Sequence, residues 1–297
     1  MTMTVSRCAA RAAAHDHVAL HGALARSAGR HLNPDRWLLT AEDQIDLDLF
    51  SGYDDALEWL TSTADLHRAV VRTAHVSGLH TECWQLCEAL LPHLRGAQDF
   101  ETWRISHKLG LRSAAHCGPA PMARMLSGLG SCYQWEGRLD EAEAEFVRAE
   151  QLWLKADHTL GRASLSESLG LLALREGDLG LAEARFLRAL RLFTELGRDR
   201  GIWLIQRRLG ETALAARNFT KAIHYLTSSR AWFADRGDRY QVVRNTMSLA
   251  RSLAGAGQQD QAQQELEEAA GAAGVLKVPA LEREVRELAA SLASVRG

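Results

Sequence analysis

The chain has 297 residues, 46% hydrophobic and 24% charged, a composition that suits a globular protein with one large or two ordinary cores. Its 35 basic and 37 acidic side chains leave a formal net charge of -2, so there is no global electrostatic reason to expect nucleic acid or an anionic membrane as partner. Five prolines against abundant Ala, Leu, Arg and Glu favour long helices over a many-stranded sheet, and the expected fold class is all-α.

The amino end, MTMTVSRCAARAAAHDH, lacks the apolar core of a signal peptide. No apolar run approaches the roughly 18 to 20 residues of a membrane span. Both point to a cytoplasmic protein without a membrane partner. Residues 1–48 read as lead-in helices that end in the acidic stretch AEDQIDLDLFSGYDD.

Residues 49–118 read as degenerate helical hairpins, closed by CGPAP at 117–121, where two prolines cannot continue a helix. Within them His80, Cys83 and Cys87 fall at i, i+3 and i+7, near one helical face, and imidazole with thiolate suits zinc. A fourth ligand is lacking and cysteine often serves as a small core filler, so the expectation is packing, with no metal and no cofactor. The odd, scattered set of Cys8, Cys83, Cys87, Cys117 and Cys132 is unlike a secreted disulfide framework.

From residue 119 the chain repeats itself with a period of 40. Leu129-Gly130 returns as Leu169-Gly170, Leu209-Gly210 and Leu249-Ala250. EGRLDEA returns as EGDLGLA, ARNFTKA and AGQQDQA, aligning Ala142, Ala182, Ala222 and Ala262. Phe146, Phe186, Leu226 and Leu266 follow, then Ala149, Ala189, Ser229 and Ala269. Each unit has apolar residues at three- and four-residue steps, a Gly or Asn turn, and then the same rhythm, which predicts a helical hairpin. Four such repeats fill 119–275. A last segment, 276–297, holds a helix opened by Pro279 and expected to cap the apolar end of the stack.

Leu126, Leu129-Gly130, Tyr133, Gly137, Ala142, Phe146 and Ala149 resemble the tetratricopeptide repeat signature. The second unit departs with Ala173 at the aromatic position; the third and fourth are looser, with Arg217 and Ala250 at usual glycine positions. The resemblance implies a solenoid of hairpins in a right-handed superhelix. The family's usual spacing is 34, and the six extra residues are expected to lengthen the second helix of each hairpin. Such long repeats, with Ala56, Trp59 and Leu60 in DDALEWL and the preceding RSAGRHLNPDRWLL, resemble the sensor arrays of actinobacterial signal-transducing ATPases (STAND) and Streptomyces antibiotic regulatory proteins. The phosphate-binding G-x-x-x-x-G-K-[ST] of such ATPases does not occur, so the chain reads as the sensor without the motor, either excised or standing alone.

In the family the first helix of each hairpin lines a concave groove. Carried onto this sequence, that places Arg124, Gln134, Trp135, Glu167, Arg175, Arg207, Glu211, Arg244 and Arg251 in the groove, which is therefore mildly basic. Guanidinium groups suit a carboxylate, and Trp135 adds an apolar anchor. Against this, Arg207 and Glu211 at i and i+4 also suit a simple intrahelical pair. Trp59, Trp84, Trp103, Trp153, Trp203 and Trp232 fall in amphipathic patterns and read as packing.

The twelve histidines form no recognisable catalytic motif, and no enzyme activity is expected. The expected function is regulatory binding of a protein or peptide segment, coupled to an attached or separate ATPase or DNA-binding regulator, without direct nucleic-acid contact. The alternatives are a small-molecule sensor, or a self-association module forming a homo-oligomer.

Overall fold

The computed structural model describes residues 2–39, 49–276 and 278–294. Most of the acidic stretch, residues 40–48, and the side chain of Cys8 lie outside the described residues. Among those described there are fourteen helices and no strand, the all-α class expected. The chain forms two compact units, residues 1–165 and 166–297.

In the first unit α1 (Thr2–Leu32) packs on α2 (Tyr53–Ser62), α3 (Ala64–Val76) and α4 (His80–Gly96). Then α4 pairs with α5 (Phe100–Ala114), and α6 (Pro119–Glu136) with α7 (Leu139–Lys155). Helix α8 (Thr159–Glu176) begins in this unit and ends in the second, followed by α9 (Leu179–Glu195). The hairpins α10 (Asp199–Ala215) with α11 (Phe219–Asp235) and α12 (Arg239–Gly255) with α13 (Gln259–Leu276) come next, then α14 (Pro279–Ser294). First helices of successive hairpins also touch one another, α4 with α6 and α10 with α12, which gives each unit an inner layer.

The 40-residue period is a period of environments. Ala142, Ala182, Ala222 and Ala262 are buried, as are Phe146, Phe186, Leu226 and Leu266, and as are Leu129, Leu169, Leu209 and Leu249. Glycine allows the two helices of a hairpin to close. A Cβ on Gly170 would stand 2.6 Å from the Phe186 ring, and one on Gly210 would stand 2.7 Å from Leu226. Burying these faces is the main stabilising term, at about 25 cal/mol per Å² of apolar surface.

The turns are equally regular. Within hairpins, Gly137, Gly177 and Gly257 adopt left-handed backbone at φ 80°, 82° and 80°, and Arg217 takes the same conformation at φ 57°. Side-chain caps then restart the helices: Asp99, Asp178, Asn218 and Asp238 accept from the backbone N–H three residues on. Pro119 and Pro121 sit in the first turn of α6, where an N–H has no helical acceptor to lose.

One expectation is corrected. The six extra residues of the long repeat do not lengthen the second helix alone: α6 and α8 have 18 residues, and α7, α9, α10, α11 and α12 have 17 each. The added length is shared, which keeps both layers of a hairpin matched in span. Trp203 and Trp232 are half-buried and stack on each other at 6.1 Å, while Trp84, Trp103 and Trp153 are fully buried.

Cys83 and Cys87 are core residues whose thiols point at the Val71 and Ser106 carbonyls, at 3.6 and 3.2 Å. In α14, Leu281, Val285 and Leu288 bury against Val243, Met247 and Leu266, while Arg283, Arg286 and Glu287 face solvent.

Candidate binding groove

A helix advances about 100° per residue, so positions i, i+3, i+4 and i+7 share a face. On α12 that spacing brings Arg244, Met247, Ser248 and Arg251 to one wall, and on α10 it brings Arg208, Glu211 and Ala215 opposite them. With Leu174 from α8, Leu214 from α10 and Glu284 from α14, they line a cavity of about 430 Å³ in the second unit.

Its charges are layered. Arg207 is buried, 3% exposed, and its Nη1 donates to Glu211 Oε1 at 2.6 Å. Arg208 Nη1 donates to the other oxygen, Oε2, at 2.9 Å, and its Nε lies 3.7 Å from Glu167. Burial alone would raise the Glu211 pKa, but the adjacent guanidinium groups of Arg207 and then Arg208 outweigh it and hold the carboxyl at about 2. Burial, reinforced by Arg208, lowers Arg207 to about 10, still charged at neutral pH. Glu211 is therefore a carboxylate clamped by two cations.

On the other wall Arg244 Nη1 donates to Glu284 Oε2 at 2.5 Å. Arg251 lines the same cavity and makes no hydrogen bond or ion pair to any described residue. Three arginines thus face two carboxylates, with one guanidinium left over, beside an apolar wall of Leu174, Leu214 and Met247. This arrangement can hold an anion through Arg251 and pack its apolar remainder alongside.

Of the nine groove residues expected from the sequence, Glu211, Arg244 and Arg251 line this cavity together, and Glu167 and Arg207 reach it through their ion pairs. Arg175 is exposed near the end of α8 and is not part of the lining. In the first unit Gln134 is buried, Trp135 is 46% exposed at the end of α6, and Arg124 is paired with the buried Glu88. The lining also holds Arg208, Glu284 and Ser248, which the family's groove positions do not include. The i, i+3 relation of Arg208 to Glu211 was visible, but helix register alone did not say whether Arg207 or Arg208 faces outward.

Residues 121–195, about a quarter of the chain and reaching from α6 to α9, match the family model for the tetratricopeptide repeat. Comparison with curated protein sequences gives no match. Among solved structures, BtubC (BKLC) from P. vanneervenii superposes with a TM-score of 0.62 at 16% identity, covering 75% of this chain and 93% of that one. The Rap conjugation gene regulator of plasmid pLS20, in complex with a Phr peptide, gives 0.58 at 17% identity, covering 68% of this chain and 56% of that one. A signal transduction ATPase with numerous domains (STAND) with a tetratricopeptide repeat sensor, from Pyrococcus horikoshii, gives 0.62 at 13% identity, covering 78% and 35%. The match therefore spans less than two thirds of the Rap and STAND proteins. At such identities the likeness is one of fold: a tetratricopeptide-like array of helical hairpins.

Proposed function

We propose that this chain is a non-catalytic binding scaffold that captures a protein or peptide segment on the inner layer of its second unit, with a ligand carboxylate at Arg251 and Arg244. The observation that carries this reading is the unpaired Arg251 guanidinium in a 430 Å³ cavity walled by Leu174, Leu214 and Met247. A free α-carboxylate or an acidic side chain matches the excess donor, and the leucines favour an aliphatic neighbour. The tetratricopeptide match and the peptide-bound Rap structure of the same fold support a peptide ligand.

In this reading the scaffold is the sensor part of a cytoplasmic transcriptional regulator of the actinobacterial kind, acting on an attached or separate ATPase or DNA-binding partner. Support comes from the fold shared with a STAND protein that carries a tetratricopeptide repeat sensor. Groove occupancy would be transmitted through the Arg207–Glu211–Arg208–Glu167 chain of ion pairs, which ties the cavity wall to α8.

The test uses a fluorescein-labelled heptapeptide library ending in a free α-carboxylate, and the same library amidated. Fluorescence anisotropy on the full chain should show binding of the acid library and about tenfold weaker binding of the amide, the size expected for loss of a charged hydrogen bond. Equal binding of both, or of neither, overturns the carboxylate reading; a small metabolite retained in native mass spectrometry would favour the small-molecule alternative.

A further inference from the structure

Between α1 and the next described residue after the gap, residues 33–39 (NPDRWLL) are not helical, and they cross the first unit in contact with three helices of its inner layer. A short turn, Arg36 N–H to Asn33 carbonyl at 3.2 Å, is followed by open backbone. The Trp37 indole Nε1 then donates to Ser164 Oγ of α8 at 2.9 Å. Its ring lies against Trp153 of α7, at 6.2 Å, and stacks on His158, at 5.7 Å. The guanidinium of Arg124, on α6, sits 4.2 Å above the ring and reaches the Trp37 carbonyl at 3.4 Å. Two residues on, the Leu39 N–H donates to both oxygens of Glu88 on α4, at 3.2 and 3.3 Å.

These are the contacts of a bound peptide: an anchoring aromatic in an aromatic and cationic pocket, backbone groups read by side chains, and an aliphatic residue alternating with it. Their counterparts are built in advance. Glu88 is 2% exposed and ion-paired to Arg124, and Trp153, 1% exposed, is fixed by its own bond to Ser127 at 3.1 Å.

One residue of the segment fits badly. Arg36 Nη2 is buried and has no hydrogen-bond partner, and its guanidinium lies in the field of Arg124 and Arg95. Among the described residues the carboxylate acting on it is Glu88, which is already shared between Arg124 and the Leu39 N–H. A buried guanidinium N–H without an acceptor is costly, so the segment holds its site with less than the full affinity the site offers.

We propose that the face formed by Glu88, Arg124, Trp153 and Ser164 is a second peptide-binding surface, selective for an extended segment with tryptophan followed two residues later by an aliphatic side chain. Residues 33–39 occupy it in cis. A partner segment of the same pattern, with a neutral residue before the tryptophan, displaces them. The proposal stands apart from the carboxylate cavity of the second unit, and either can fail without the other.

The probes are fluorescein-labelled synthetic peptides of residues 33–39: the native sequence, an Arg36→Gln form and a Trp37→Ala form. The full chain carrying Trp37→Ala should bind the native peptide about tenfold more tightly than the unaltered chain does, the scale of one aromatic anchor. The Arg36→Gln peptide should bind more tightly still, and the Trp37→Ala peptide should not bind. In the unaltered chain, saturating Arg36→Gln peptide should accelerate hydrogen exchange at the Leu39 amide, a readout that needs no altered protein. The proposal is overturned if the variant chain keeps its helical circular dichroism yet binds neither tryptophan peptide, or binds the Trp37→Ala peptide equally well. Unchanged Leu39 exchange at high peptide concentration overturns it also.

Discussion

The Phe146 ring stands where a side chain on Gly130 would begin: a Cβ there would lie 2.5 Å from two ring carbons. This contact sets how closely α6 and α7 approach, and it repeats with Gly170 and Phe186. The fourth repeat solves the same problem with Ala250 and Leu266, both buried. Gly130→Ala should destabilise the protein by about 1–3 kcal/mol through overpacking. Adding Phe146→Leu, which recreates the fourth repeat's pair, should leave the double variant less destabilised than the sum of the two single variants. Urea denaturation of the four proteins measures this; strict additivity would mean that the glycine is not there to admit the ring.

Arg217 occupies a turn where the other repeats place glycine, at a φ of 57°. A side chain in left-handed backbone costs about 1–2 kcal/mol, partly offset by glycine's greater freedom in the unfolded chain. Arg217→Gly is therefore expected to stabilise by about 0.5–1 kcal/mol. Gly137→Ala should destabilise by a similar amount. Thermal melts followed by circular dichroism decide both signs.

Acid should weaken the fold in two windows. The buried His67 Nε2 donates to the Leu60 carbonyl at 3.0 Å, so its Nδ1 must accept, and His21 Nε2 donates to it at 2.8 Å. Trp59 packs against both rings, and His17 and His93 are the nearest other titratable groups. Burial, with His17 acting on His21 and His21 acting on His67, lowers both pKa values from 6.5 to about 4. Below pH 6.5 the unfolded chain takes up protons that the folded one refuses, so stability falls from there to about pH 4. Glu211, lowered from 4.5 to about 2, adds a second loss between those values as its two ion pairs are protonated away. His67→Gln keeps a donor for Leu60 and an acceptor for His21 without titrating, and should flatten the first window in melting temperature against pH. An unchanged slope would contradict the assignment.

Arg207 and Arg251 should separate stability from binding. Truncating the buried Arg207 leaves Glu211 with Arg208 as its remaining partner, so Arg207→Ala should cost about 1–3 kcal/mol. Arg251, exposed and unpaired, should cost less than about 0.5 kcal/mol when replaced by alanine. Urea midpoints of the two variants test the contrast.

The repeat was legible because its signals are local and recur. Small residues mark helix contacts, a Gly or Asn marks each turn, and one aromatic or leucine fills each hairpin, so four copies reinforce one reading. Groove membership was less legible. A helical step of one residue turns a side chain by about 100°, so packing decided that Arg207 is buried while Arg208 faces the cavity. Trp37 left no periodic trace, since residues 33–39 are not helical and their partners lie 49 to 127 positions away in sequence. Arg124 was expected in the groove, but its pairing with Glu88 could not be read from two residues 36 apart.

In the proposed function the second unit captures a carboxylate-bearing peptide through its unpaired arginine. The most direct measurement is the affinity of the free-acid heptapeptide library for the unaltered chain and for Arg251→Ala, with urea midpoints taken on the same samples. Arg251→Ala should bind about tenfold more weakly with an unchanged midpoint. Undiminished binding by Arg251→Ala, or a loss that accompanies unfolding, would contradict it.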